Sequence, residues 1–149
     1  MTNRLLPFFL FCTLIFFVAC EKDEKLLIVD PGTCLVFVDG EFVDTELDEM
    51  PYYLDGGKDT FLLRLIHEVD YPVDARENGI QGLCIVHYEI TEAGTVENIE
   101  VIEEPGGGLG IATVDALEAV TQGMSFSPGK LDGEPVRIRK EIRVRFKLE

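Results

Sequence analysis

The chain has 149 residues, room for one domain of ordinary size and not for two. It carries 13 basic and 28 acidic residues, a formal charge of −15, which argues against general nucleic-acid binding and against simple adsorption to anionic lipid. Hydrophobic residues make up 46%, too many for a disordered acidic tail. They are unevenly spread: residues 1–19 hold 14 of them, including five of the ten Phe. Beyond residue 19 the chain keeps 12 basic and 28 acidic residues, a charge of −16.

The first twenty residues read as an address. Arg4 precedes an apolar run from Leu5 to Val18, shorter than the roughly 20 residues a spanning helix needs. A basic start, a short apolar core and a small residue fit an export signal. The run ends Phe17-Val18-Ala19-Cys20, which resembles a bacterial lipobox. The resemblance implies cleavage between Ala19 and Cys20 and a lipid on Cys20, with Phe17 in the place usually held by Leu. The alternative is a short uncleaved anchor with an incidental Cys. Acyl chains contribute about 0.8 kcal/mol per buried methylene, so they can hold an acidic protein on a membrane its own surface does not seek. Glu21-Lys22-Asp23-Glu24 is similar to the surface-export signal of Bacteroidota lipoproteins. The expected location is the outer membrane, with periplasmic face and cell surface both open.

Cys12 leaves with the leader, so Cys34 and Cys84 remain. An exported pair can form a disulfide. Cys84 also lies in an apolar strand, where Cys serves as a small core residue, and this is the preferred reading. Neither has the His neighbours a zinc site requires, so no metal and no cofactor is expected.

In chain order, Leu26-Leu27-Ile28-Val29 and Leu35-Val36-Phe37-Val38 are short β runs separated by Asp30-Pro31-Gly32. Asp39-Gly40 marks a hairpin turn before Glu41-Phe42-Val43. Asp44, Glu46, Asp48 and Glu49 form a solvated acidic loop, because an EF-hand would need Gly where Glu49 stands. Phe61, Leu62, Leu65, Ile66 and Val69 share one helical face, with Arg64 and His67 off it. That helix stops before Pro72. A short helix follows, opened by Pro72 and closed by Asn78-Gly79. Gly82 to Thr91 alternates: Cys84, Val86, Tyr88 and Ile90 against Leu83, Ile85, His87 and Glu89. After a turn at Thr91–Gly94, Val96 lies on one parity and Ile99, Val101 and Glu103 on the other, which predicts a β-bulge near Glu97-Asn98. Pro105 and Gly106–Gly108 form a connector, not a phosphate loop, because Leu109-Gly110-Ile111 follows in place of Gly-Lys-Ser/Thr. A helix is then predicted with Val114, Leu117, Val120 and Met124 on one face, ended by Phe126-Ser127-Pro128-Gly129.

The last strand carries Val136, Ile138, Ile142, Val144, Phe146 and Leu148 on one face, broken by Lys140. The other face carries Arg137, Arg139, Glu141, Arg143, Arg145 and Lys147. Two readings stand: a charged edge strand that resists aggregation, or a docking edge for an acidic or extended peptide.

Several pieces together resemble the TonB C-terminal domain family. They are Gly56-Gly57, Tyr71-Pro72-x-x-Ala75, Asn78-Gly79-Ile80-Gln81-Gly82, Gly94-x-Val96, Asp115-Ala116-Leu117-x-Ala119-Val120, Met124-x-Phe126-x-Pro128-Gly129-Lys130, Gly133-x-Pro135-Val136 and Phe146. Glu49-Met50-Pro51 with Gly56-Gly57 is similar to the Bacteroidota branch, and Phe126 stands where many members have Trp. The resemblance covers about residues 50–149, after a signal peptide at 1–19 and a lipid-anchored, partly β segment at 20–49. It implies an α+β fold with two or three helices on one face of a three-stranded antiparallel sheet, to which the residue pattern of 26–43 adds an extra N-terminal β-hairpin. It also implies that the last strand is a free edge pairing with an extended receptor segment. Arg137, Arg139, Glu141, Arg143, Val144 and Arg145 would then meet the partner. Tyr71, Pro72, Gly79, Gly82, Pro128 and Gly129 are the family-motif positions.

Energy transducers of this family have an N-terminal membrane helix and a long Pro-rich linker. Here a lipid anchor is expected, and the 30 residues from Glu21 to Met50 reach at most about 100 Å at roughly 3.3–3.6 Å each. The sequence therefore favours a lipoprotein binding module with a protein partner over direct energy transduction. An accessory role in TonB-dependent transport is the second reading. An enzyme is the third and weakest: Cys84 and His87 are three apart on a strand and point to opposite faces, away from hydrogen-bond reach. The partner's identity and the oligomeric state stay open, since exposed edges permit strand exchange.

Overall fold

The computed structural model describes residues 24–28 and 33–149; the leader, Cys20 and Asp30-Pro31-Gly32 lie outside the described residues. Ten strands and three helices follow in order: β1 (Glu24–Ile28), β2 (Cys34–Val38), β3 (Glu41–Val43), β4 (Tyr52–Tyr53), α1 (Gly57–Glu68), α2 (Val73–Glu77), β5 (Gly82–Ile90), β6 (Val96–Glu103), α3 (Leu109–Val120), β7 (Phe126–Ser127), β8 (Gly129–Leu131), β9 (Glu134–Val136) and β10 (Ile138–Leu148).

Period-two alternation builds the main sheet. β10 pairs antiparallel with β5, and β5 with β6, so β5 is the middle strand of the expected trio. Cys84, Val86, Tyr88 and Ile90 of β5 and Ile138, Ile142, Val144 and Phe146 of β10 are all buried on one face. α1 and α3 pack on each other above this face, with Phe61, Leu65, Leu109 and Leu117 in the shared core. The predicted bulge is present: His87 faces Glu100 while Glu89 faces Glu97, and Asn98 takes φ 49°. A second shift lies between Ile85 and Val86, so Glu103 and Val101 do not keep the common parity that alternation alone assigned them.

The sheet is larger than the expected three strands. Beyond β10 lie β2 and β3, and β1 also pairs with β10. The Asp39-Gly40 hairpin forms between β2 and β3, with φ 51° and 92° at its two turn residues, the sign a type I′ turn needs. β1 and β2 do not pair with each other. Both run antiparallel to β10, one after the other. Ile28 faces Val144 and Cys34 faces Lys140, so the register steps by two between them and parity is kept. The segment before residue 50 is thus joined to the same sheet.

Three further local expectations change. α3 starts at Leu109 and ends at Val120, so Met124 is off the helix and 67% exposed. Its buried residues are Leu109, Gly110, Thr113, Ala116 and Leu117; of the predicted stripe, Leu117 is fully buried and Val114 and Val120 pack half-buried against the core. Phe126-Ser127 is not only a helix stop: it pairs with Tyr52-Tyr53, and the Phe126 ring packs 5.3 Å from Tyr53 and 5.4 Å from Phe61. Val136 belongs to β9, paired back on Gly129, so the long strand begins at Ile138.

The family-motif positions have structural tasks. The Tyr71 hydroxyl donates to the Ile80 carbonyl at 2.6 Å, and its ring meets Phe146 edge-on at 5.4 Å. Pro72 precedes α2 at φ −59°, and Gly79 closes that turn at φ 66°. A Cβ on Gly82 would sit 2.9 Å from Pro105. Pro128 is half-buried, and Gly129 is buried beside Leu47 and Ile138.

Candidate functional site: the long strand, its edge and its polar face

β10 has two sides that could receive a partner, its outer backbone edge and its polar face. The edge is not free. Glu24–Ile28 pair with Val144–Leu148, and Cys34–Val36 pair with Ile138–Lys140. The free-edge expectation is therefore corrected: the chain's own N-terminal segment lies where the resemblance placed an open lane. The reason is one of pattern. Leu26, Ile28, Cys34 and Val36 all have core parity, so laying them on β10 extends the apolar face at no cost in exposed polar atoms.

The polar face is equally committed along half its length. Arg137 donates to Glu89 at 3.0 Å and to Glu97 at 3.2 Å. Arg139 donates to the other Glu89 oxygen at 2.8 Å, and its guanidinium stacks 3.9 Å above the Phe42 ring. Asn98, turned by the bulge, donates to Glu89 at 2.8 Å. Glu89 is only 4% exposed. Burial works to raise its carboxyl pKa, but hydrogen bonds from Arg139, Asn98 and Arg137 outweigh it and hold the group below the usual carboxylate range.

A second group lies one step along. Glu141 accepts from Arg143 and contacts His87 Nε2 at 3.1 Å. Burial again opposes ionisation, and the bonds to Arg143 and His87 overcome it, so this carboxyl also titrates low. Val144 is buried with its side chain in the core. Arg145 is exposed and has no ion-pair partner among the described residues. Lys147 lies 3.8 Å from Glu149 and Lys25 lies 3.9 Å from the same carboxylate.

Of the six residues expected to meet a partner, the fold thus gathers Arg137 and Arg139 around Glu89 and Arg143 around Glu141. Arg145 alone points freely to solvent. Glu89 is the residue that sequence reading missed as a charge partner. Its signal was its parity, shared with His87 on the non-core side of β5, but its partners lie 48 and 50 positions away.

Lys140 is the other irregular member. It has core parity, and burial lowers its ammonium pKa. It faces a pocket of about 380 Å³ with Cys34, Tyr88, Phe61 and Lys58. Cys34 and Cys84 are both free thiols, and burial raises each pKa. Cys84 and His87 lie on opposite faces of β5, so they form no nucleophile–base pair. No helix among the described residues is long and apolar enough to cross a membrane.

Three helices on one face of an antiparallel sheet, with a charged face opposite, define an α+β module organised around strand pairing. Residues 67–148 match the family described as Gram-negative bacterial TonB protein C-terminal, and the chain belongs to that family. It is 42% identical over 79 residues to Protein TonB of Vibrio cholerae, covering 53% of this chain. It spans about a third, 31%, of that protein's length. Its fold is also similar to the solution structure of the TonB C-terminal domain of Helicobacter pylori. That likeness has 22% identity and a TM-score of 0.45, covering 65% of this chain and 89% of the other.

Proposed function

We propose that this protein is a lipid-anchored binding module of the bacterial outer membrane. It would hold an extended segment of a membrane transporter or another envelope protein by strand pairing at β10. The observation that carries this reading is that β10 already accepts antiparallel strands along its outer edge, from Ile138 to Lys140 and from Val144 to Leu148. An edge that pairs with two short segments of its own chain has the backbone geometry to pair with a foreign strand in place of one of them. The family match and the Vibrio cholerae relative favour an outer-membrane receptor as that partner and a role in TonB-dependent transport. Cys20 would carry the lipid.

A photocrosslinking residue at Arg145 tests the partner. In living cells it should join an outer-membrane receptor, while the same residue at the exposed Asp115 position of α3 should not. Equal capture at both positions, or none at Arg145, would overturn the edge-pairing reading. Cys20→Ala tests the anchor separately: the protein should move from the membrane to the soluble fraction, and retention would refute lipidation.

A further inference from the structure

The two segments that cover β10 are held unequally. Val36 of β2 is completely buried, and β2 is backed by β3 through the Phe37–Phe42 ring contact at 5.1 Å. Among the described residues β1 has β10 as its one neighbour in the sheet, and its apolar face also touches α1. From Lys25 to Ile28 none of its residues is fully buried, and Leu27 is 43% exposed.

The register adds a mismatch. Lys25 stands directly opposite Lys147, and Leu27 opposite Arg145. Like charges facing each other across an antiparallel pair are destabilising, and an apolar residue opposite an arginine leaves that charge unanswered. Glu149 lies near both lysines, but at 3.8 and 3.9 Å and half exposed it is a weak bridge. The core side is matched well: Leu26 faces Phe146 and Ile28 faces Val144. β1 therefore fits β10 by its apolar parity and fails by its charged parity.

We infer that β1 is an exchangeable resident strand that closes the Val144–Leu148 lane until a better-matched strand displaces it. This rests on the strand-pairing reading above and names both its regulation and the chemistry of its partner. The replacing segment is an extended peptide with acidic residues opposite Lys147 and Arg145 and apolar residues opposite Phe146 and Val144. The Ile138–Lys140 lane stays closed by β2, so Arg137 and Arg139 keep their bonds to Glu89 and do not meet the partner.

The test uses the full chain in detergent. The probes are a synthetic peptide alternating Glu with Leu and Ile, and its twin with Lys for Glu. Leu26→Pro removes an amide and a packed side chain from β1 alone. It should raise affinity for the acidic peptide at least about tenfold and speed amide exchange at Val144–Leu148, with β5 still protected. Lys25→Glu should act in the opposite sense, lowering that affinity about twofold to fivefold, the range expected from one cross-strand charge pair. The lysine peptide should bind neither variant better than the parent chain. Equal peptide affinity in the parent chain and Leu26→Pro would overturn the resident strand while leaving strand pairing intact. Faster exchange at Val144–Leu148 without peptide binding would overturn strand pairing at this edge. Equal binding of the two peptides would overturn the acidic partner.

Discussion

At the scale of single residues, two charged groups, the buried Glu89 and the half-buried Lys140, behave in opposite ways. Glu89 is paired on all sides, and Lys140 is not. Replacing Glu89 by Gln leaves Arg139 without its anion and Arg137 with Glu97 alone at hydrogen-bond distance, and should cost about 1–3 kcal/mol in urea unfolding. The acid limb should change too. Because the folded carboxyls of Glu89 and Glu141 titrate below their unfolded value of about 4.3, their stabilisation is complete above that value. It is lost as pH falls through the folded pKa, so Glu89→Gln should unfold with a shallower acid dependence than the parent. Lys140 gives the mirror case. Its folded pKa is lowered, so the unfolded chain binds more protons between the two values, and stability rises with pH across that window. Lys140→Met should therefore be more stable than the parent at neutral pH, by about 1 kcal/mol, with the difference shrinking as pH rises. A gap that widens toward alkaline pH would refute this assignment.

At the scale of elements, the turns and small strands decide how the helices meet the sheet. Gly94 closes the β5–β6 turn at φ 79°, and its carbonyl accepts from the Ser125 and Phe126 amides. A Cβ there would lie 1.9 Å from the Phe126 carbonyl oxygen. Gly79 has a similar φ of 66° with open space around it. Gly94→Ala should thus cost about 3 kcal/mol or more, against about 1 for Gly79→Ala, which pays only for the left-handed backbone. Thermal unfolding of the pair separates clash from strain. Most of these elements were legible in the sequence, because their signals are local. Pro72 and Asn78-Gly79 bracket α2, Asp39-Gly40 makes its hairpin, and the parity switch locates the Asn98 bulge. The end of α3 was misplaced because a chance apolar Met124 suggested a longer run. Gly110 is where the helix needs no Cβ: its amide donates to the Glu104 carboxylate at 2.7 Å.

At the scale of the whole molecule, the N-terminal segment links anchor and binding strand. Four positions separate Cys20 from Glu24, a reach of at most about 14 Å. With the proposed lipid on Cys20, a docked β1 would keep the domain against the membrane. Release of β1 would lengthen the leash to the start of β2. A distance probe between the bilayer and an exposed site such as Asp115 should therefore shift outward in Leu26→Pro. An unchanged distance would count against the link between docking and reach.

The sequence by itself determined the alternating strands, the three helical regions, the bulge and the family to which residues 67–148 belong. These depend on neighbours along the chain, where period and turn chemistry act directly. It also gathered the positive charge on one strand. What only the tertiary structure decided is what meets that strand. Register across 48 to 122 positions brought Glu89 beneath Arg137 and Arg139, and set Lys25 against Lys147. Strand parity says which face a residue takes, but not which strand lies beside it; that choice is made by the apolar surface the whole fold leaves to be covered.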